Sequence, residues 1–156
     1  MNDDRTTQLD RMRFTKNTTS SRLALLAIVF DVLFFISIYK SDVDTYYYTS
    51  LIGASIIYNL VFMLTAFLSS EGVKNYQVTY SWVTLVLGAI QIARIFIIPM
   101  NAHSTQIGGS PVMGDGQFIR VLIYLIASAV CLVGCAVINL NKSRALSAHI
   151  ASLEAR

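Results

Sequence analysis

Four separate apolar stretches, each long enough to cross a lipid bilayer, constrain this chain more than any other feature. They cover residues 23–39, 46–69, 78–98 and 118–140. A helix needs roughly 17–25 residues to cross a hydrocarbon core of about 30 Å. Membrane-crossing strands would be segments of about ten residues with alternating polarity, and these stretches do not alternate. The sequence predicts an all-α integral membrane protein with four transmembrane helices in an antiparallel bundle.

The composition supports a membrane location. Of the 156 residues, 54% are hydrophobic and 13% are charged, whereas soluble domains contain about 25% charged residues. This balance argues against a soluble enzyme, a disordered tail and a nucleic-acid-binding protein. The net charge of +3 comes from basic residues that flank the apolar stretches, a pattern that indicates orientation in a membrane. We expect the lipid bilayer, and no nucleic acid, as a partner.

The basic residues lie asymmetrically at the two ends of the predicted helices. Nine of them share one side: Arg5, Arg11, Arg13, Lys16, Arg22, Lys74, Lys142, Arg144 and Arg156. The other side carries Lys40, and the link 99–117 has no lysine or arginine. Because cytoplasmic loops carry an excess of basic residues, we expect both termini in the cytoplasm and a multi-pass protein of the plasma (inner) membrane.

Three regions follow from these patterns. Residues 1–22 form a cytoplasmic basic tail, which lacks the apolar core of a signal peptide. Residues 23–140 form the four-helix transmembrane domain. Residues 141–156 form an amphipathic cytoplasmic tail that continues the fourth helix as a helical extension.

Four polar residues inside the apolar stretches are the candidate site. Asp31 lies near the middle of the first stretch, Asn59 in the second, and Gln91 and Arg94 in the third. Charged groups in a membrane are costly and are functional hypotheses by default, and antiparallel helices would bring Asp31 and Arg94 to similar depths. We predict one intramembrane polar cluster. This cluster either holds helices or subunits together through polar contacts, or it is the coupling site of a transporter.

Small residues recur at every fourth position of the last stretch. Ala127, Cys131 and Cys135 share one helical face, which is typical of close helix packing in membranes. No basic residue or histidine lies nearby to activate either thiol, so we expect helix packing here and no metal or cofactor. In the link 99–117, His103 and Asp115 are too few for a metal site. We expect a flexible, exposed connector there, with a partner-binding loop as the alternative.

The C-terminal tail carries a second apolar stripe. Leu146, Ile150 and Leu153 are spaced at i, i+4 and i+7, the period of one helix face. This stripe lies beyond the predicted membrane span, so a membrane surface or another protein must cover it. We expect these residues to bind a partner, either in a homo-oligomer or in a larger membrane-protein complex.

The sequence contains no recognisable catalytic arrangement, such as a nucleotide-binding loop, a zinc motif or paired catalytic carboxylates. We therefore expect a non-enzymatic accessory or structural subunit of a membrane complex, such as a transport complex. The alternative is a small oligomeric transporter of an ion or small solute that uses Asp31 and Arg94.

Overall fold

The computed structural model describes residues 16–39, 52–107 and 109–154, and most of these residues are helical. The elements in chain order are α1 (Thr18–Tyr39), α2 (Ile52–Lys74), α3 (Val78–Ile97), α4 (Pro99–Ser104), β1 (Gln106–Ile107), β2 (Ser110–Pro111) and α5 (Asp115–Glu154). The two short strands pair in antiparallel fashion, with Gln106 opposite Pro111.

Four helical segments in the described part of the chain are long and apolar enough to cross a membrane. They are Thr18–Ile38, Gly53–Lys74, Val78–Ser104 and Asp115–Ser152. The prediction of four such helices is confirmed. The start predicted for the second stretch, at residue 46, lies outside the described residues, as do the tail residues 1–15.

The first helix begins at Thr18, five residues before the predicted start. The cause is Asn17, whose side-chain oxygen accepts a hydrogen bond from the Ser20 amide at 3.4 Å, the contact of a helix N-cap. The boundary predicted between residues 22 and 23 therefore falls inside α1.

The second helix continues to Lys74, beyond the predicted end at residue 69. A turn of three residues, 75–77, then leads into α3. In this turn Tyr76 adopts a positive φ of 60°, and the Gln77 amide donates to the Gly72 carbonyl at 3.2 Å. This hydrogen bond closes the end of α2 and allows α3 to start at Val78.

Part of the segment after α3 packs against the helices. Pro99 stands in the first turn of α4, where its missing N–H costs no hydrogen bond. Ala102 and Met113 are fully buried. The ring of His103 stacks on Phe118 at 4.5 Å, and its Nδ1 lies 3.0 Å from the Met113 carbonyl oxygen. The expectation of an exposed connector fails at Pro99, Ala102 and Met113, which are buried, whereas residues 100, 101, 104, 109, 111 and 114–116 are exposed.

The last helix has 40 residues. At 1.5 Å per residue it is about 60 Å long, roughly twice the thickness of a hydrocarbon core. It runs opposite to α1, because Asn17 at the start of α1 contacts Asn139, while Gln117 contacts the Ser37 carbonyl near the end of α1.

The interior is formed by two main groups of apolar side chains. One joins all four long helices and includes Ala27, Phe62, Leu87 and Leu132. The other contains Phe34, Ile95, Val121 and Leu125. Helices α3 and α5 approach closely at Gly88, where an added Cβ would lie 3.2 Å from a methyl group of Val133.

The outer surface of the helices is also apolar. Ile57, Leu64 and Val130 are 65%, 61% and 64% exposed. A helix that is apolar on all sides belongs either in the core of a large protein or in a membrane. Because these side chains face outward, they are suited to contact with lipid.

Candidate functional site

The candidate site is built around an ion pair between α1 and α3. Arg94 Nη1 lies 2.9 Å from Asp31 Oδ1, and the two side chains are 6% and 1% exposed. Hydrogen bonds between charged groups are about twice as strong as neutral ones. The opposite charges meet in an interior where an unpaired charge would be costly. The pair is therefore neutral as a unit.

Two amide side chains complete the hydrogen bonding of this pair. Gln91 Nε2 donates to Asp31 Oδ1 at 2.9 Å, and Arg94 Nη2 donates to Asn59 Oδ1 at 2.7 Å. These contacts fix both amide orientations, because a carboxylate only accepts hydrogen bonds and a guanidinium only donates them. The Asn59 amino group must therefore point away from Arg94.

Aromatic rings and a serine surround the charged groups. The Arg94 guanidinium lies 4.3 Å from the centroid of the Phe34 ring and 4.6 Å from that of Tyr58, distances at which a cation is attracted to the ring face. Ser128 accepts a hydrogen bond from Gln91 Nε2 at 3.3 Å and donates to the Ala27 carbonyl at 3.1 Å.

The structure thus brings together all four residues predicted for the polar cluster: Asp31, Asn59, Gln91 and Arg94. Ser128, Phe34 and Tyr58 also belong to this cluster and were not predicted. Nothing in the sequence indicates that an apolar residue such as Phe34 contacts a cation. The hydroxyl group of Ser128 inside an apolar stretch was an available signal, since buried hydroxyl groups need hydrogen-bond partners.

Four buried side-chain atoms of the cluster have no hydrogen-bond partner. They are Asp31 Oδ2, Tyr58 Oη, Asn59 Nδ2 and Gln91 Oε1. Asp31 and Asn59 also line a groove of about 250 Å³ between α1 and α2. The remaining walls of this groove are the apolar side chains of Val32, Phe35, Ile56, Leu60 and Met63.

A second polar cluster joins the helices at the start of α1. Asn139 of α5 accepts a hydrogen bond from Asn17 Nδ2 at 2.9 Å. It donates to Ser81 Oγ at 2.7 Å and to the Gln77 carbonyl at 3.1 Å. Lys142 Nζ donates to Asn17 Oδ1 at 3.2 Å. No site was predicted here, because the residues lie in three distant parts of the chain.

The predicted small-residue stripe on α5 lies at the edge of its packed face. Cys135 is buried, whereas Ala127 and Cys131 are half-buried. Both cysteines are free thiols. The packed face also includes Ser128 and Leu132, so it is rotated slightly away from the predicted stripe.

The C-terminal stripe lies on the helical extension of α5. Leu146 and Ile150 are half-buried, and the side chain of Leu153 is outside the described residues. On the other side of the molecule, His103 Nε2 lies 3.9 Å from Asp115 Oδ1. Within the described ranges, no group of three or more His, Cys, Asp and Glu residues is placed to hold a metal ion.

Comparisons of the chain with protein-family models, curated proteins and solved structures gave no match. The polar cluster can join helices through a neutral ion pair, and the groove beside it exposes only apolar surface.

Proposed function

We propose that the protein is a non-enzymatic polytopic membrane protein that serves as an accessory or structural subunit of a larger membrane complex. The observation that carries this proposal is that the two charged side chains of the polar cluster pair with each other inside the chain. Asp31 and Arg94 bind each other at 2.9 Å, so neither is left as a free charge for a solute. Such a pair sets how helices fit together, a role for which buried polar groups are known.

The long α5 helix supports a role in assembly. About half of its estimated 60 Å length extends beyond the thickness of a hydrocarbon core. On that extension Leu146 and Ile150 keep part of their apolar surface exposed. A partner helix, from a second copy or from another membrane protein, would cover this surface.

The assembly role is tested by native mass spectrometry of the full chain released from mild detergent. Ile150→Glu should lower the fraction of protein found in complexes, because a carboxylate would enter the proposed interface. Ala151→Glu is the matched control, since Ala151 is exposed on the same helix. A strict monomer without a copurifying partner, unchanged by Ile150→Glu, would reject the accessory role.

We further propose an antiparallel four-helix bundle in the plasma membrane with both termini in the cytoplasm. Support comes from the lysine and arginine asymmetry. Single cysteines are introduced into a Cys131→Ala, Cys135→Ala background and treated with an impermeant maleimide in intact cells. Cysteines at Ser104 and Asp115 should react, and those at Thr19 and Ser152 should react only after permeabilisation. All four positions are exposed, so burial does not prevent labelling. The reverse pattern would overturn this orientation.

A second candidate function is transport of an ion or small solute by an oligomer. The groove beside Asp31 favours it, because the unused Asp31 Oδ2 belongs to a residue that lines this groove. Purified protein is reconstituted into liposomes that contain a pH-sensitive dye, and a proton gradient is applied with Na⁺ or K⁺ present. Flux above that of Asp31→Asn would support transport. Equal flux would favour the accessory role.

A further inference from the structure

Three lysines from distant parts of the chain lie around Asn17 at the start of α1. Lys16 directly precedes Asn17. The backbone amide of Asn17 donates a hydrogen bond to the Lys74 carbonyl at 3.0 Å, which brings the end of α2 to the same level. Lys142 of α5 donates from Nζ to Asn17 Oδ1 at 3.2 Å. Lys16, Lys74 and Lys142 are called the lysine cluster below.

The lysine cluster carries more positive charge than neighbouring acids neutralise. Glu71 is the one acid paired with it in the described part of the chain, and its carboxylate lies 3.0 Å from Lys74 Nζ. Lys16 and Lys142 are exposed and form no ion pair within the described ranges. The adjoining residues 1–15 do not alter this balance, because they contain three aspartates and three arginines. Three lysines and one glutamate leave a net charge of +2.

Apolar surface suited to lipid begins close to the lysine cluster. On α5, Val137 is 47% exposed and lies five residues before Lys142, about 7.5 Å along the helix. On α1, Leu25 and Leu26 are 40% and 43% exposed. Lysine side chains at the end of a membrane helix keep their charge in the headgroup region while their stems cover apolar surface. A headgroup at the cluster therefore has acyl chains beside α1 and α5.

The charge and the location of the cluster together define the class of ligand. Ammonium groups only donate hydrogen bonds, and lysine is a common binder of phosphate, whose oxygens accept them. A zwitterionic phospholipid brings its own cation with the phosphate, which offsets the attraction. Clusters of basic residues next to membrane helices are typical of sites for anionic lipids. An anionic phospholipid supplies both the net negative charge and the acyl chains.

We propose that the lysine cluster binds the phosphate group of an anionic phospholipid, whose acyl chains lie along the apolar surface of α1 and α5. Lys16 and Lys142 supply the positive charge that no acid neutralises, and the contact with Asn17 holds the Lys142 ammonium group at the start of α1. This inference requires the helices to lie in a bilayer. It is independent of the accessory role, because a single copy of the chain contains the complete cluster.

The test is native mass spectrometry of the full chain in mild detergent. The protein is titrated with phosphatidylglycerol and, separately, with phosphatidylcholine that has the same acyl chains. Each basic residue near an anionic lipid surface contributes about fivefold in affinity. With two such lysines, we expect the first phosphatidylglycerol to bind at least about tenfold more tightly than phosphatidylcholine. Millimolar inorganic phosphate should leave the bound lipid in place, as sodium chloride of the same ionic strength does, because free phosphate has no acyl chains.

A pair of matched variants locates the site. Lys142→Gln should lower the affinity for phosphatidylglycerol about fivefold, whereas Lys142→Arg keeps the charge and should keep the affinity. Arg144→Gln removes the same charge from an exposed position two residues further along α5. Residues two apart on a helix do not share a face, so Arg144 points away from Asn17 and its loss should leave the affinity nearly unchanged. Binding of phosphatidylcholine should be equal in all variants, which shows that each of them is folded.

Three results would overturn the proposal. Equal affinity of the unaltered chain for the two lipids would show that the headgroup charge is not recognised. Equal losses in Lys142→Gln and Arg144→Gln would assign the preference to the general positive charge of this end of the molecule. Release of phosphatidylglycerol by inorganic phosphate, but not by sodium chloride of the same ionic strength, would make the cluster a site for free phosphate.

Discussion

Breaking the Asp31–Arg94 ion pair should destabilise the helix packing in an unequal and non-additive way. In Asp31→Asn the buried Arg94 keeps a charge without a counter-charge, because a guanidinium does not lose its proton in proteins. Removing one partner of a buried pair typically costs about 3–5 kcal/mol. In Arg94→Gln the remaining carboxylate can become neutral by taking up a proton, so the loss should be smaller, about 2 kcal/mol.

The double variant Asp31→Asn, Arg94→Gln contains no buried charge at this site. Its two amides retain hydrogen-bonding capacity toward Gln91 and Asn59. We therefore expect the double variant to be more stable than the sum of the single losses predicts, with a coupling energy of about 2–4 kcal/mol. Hydrogen bonds between membrane helices average about 0.6 kcal/mol in such cycles. A coupling energy well above this average would distinguish an ion pair from an ordinary polar contact.

The measurement is the free energy of unfolding in mixed micelles, titrated with sodium dodecyl sulfate. Trp82 is the single tryptophan of the chain and is 57% exposed. It lies twelve residues before Arg94 on the same helix, about 18 Å away, so its fluorescence reports unfolding without contact with the altered site.

The exposed pair Glu71–Lys74 provides the control cycle. Its ion pair has a similar length, 3.0 Å, but the glutamate and lysine side chains are 56% and 29% exposed. Exposed pairs of this spacing contribute about 0.5 kcal/mol or less. If the Asp31–Arg94 cycle gave additive losses, or a coupling no larger than that of this control, the argument that burial makes the pair structural would be refuted.

Three further predictions concern the packing around the two clusters. Asn139→Leu removes three hydrogen bonds and should lower the free energy of unfolding by about 2–3 kcal/mol; a change below about 0.5 kcal/mol would contradict this. Gly72→Ala should destabilise by about 1–3 kcal/mol, because the added Cβ would overlap a tyrosine ring, whereas Gly53→Ala meets open space and should be neutral or slightly stabilising. N-ethylmaleimide should modify the half-buried Cys131 faster than the fully buried Cys135; equal rates, read from peptide masses, would contradict the observed packing.

The helices could be predicted because membrane length and apolarity act on each segment separately. The polar cluster could also be predicted, since Gln91 and Arg94 lie three residues apart on one face and few other charged or amide side chains occupy the spans. The helix ends were harder to predict from the sequence. The cap at Asn17 depends on a single side-chain contact, and the turn after Lys74 depends on one tyrosine in a left-handed conformation.

The rotation of α5 could not be obtained from its apolar residues, for a physical reason. Lipid and helix interiors are equally apolar, so an apolar side chain carries no information about which of them it faces. Small residues suggested a seam through Ala127 and Cys131, yet the packed face includes Leu125 and Leu132. Polar residues do distinguish the two environments, and Ser128 and Asn139 mark the packed face.

The two polar clusters do not hold all four long helices equally. Both of them connect α1, α3 and α5 through side-chain hydrogen bonds. In the described part of the chain, α2 is joined to the other helices by one such side-chain bond, from Arg94 to Asn59, and by the backbone bond from Asn17 to Lys74.

Arg94 therefore has two separable roles, neutralising Asp31 and holding α2 in register. Apolar contacts between helices gain little over contacts with lipid, so polar contacts carry much of the register in a membrane. Arg94→Leu removes both roles at once, whereas Asn59→Leu removes only the attachment of α2 and leaves the two charges paired. Because α2 is attached through Asn59, a larger loss of stability in Arg94→Leu than in Asn59→Leu would measure the part of the Arg94 contribution that comes from neutralising Asp31.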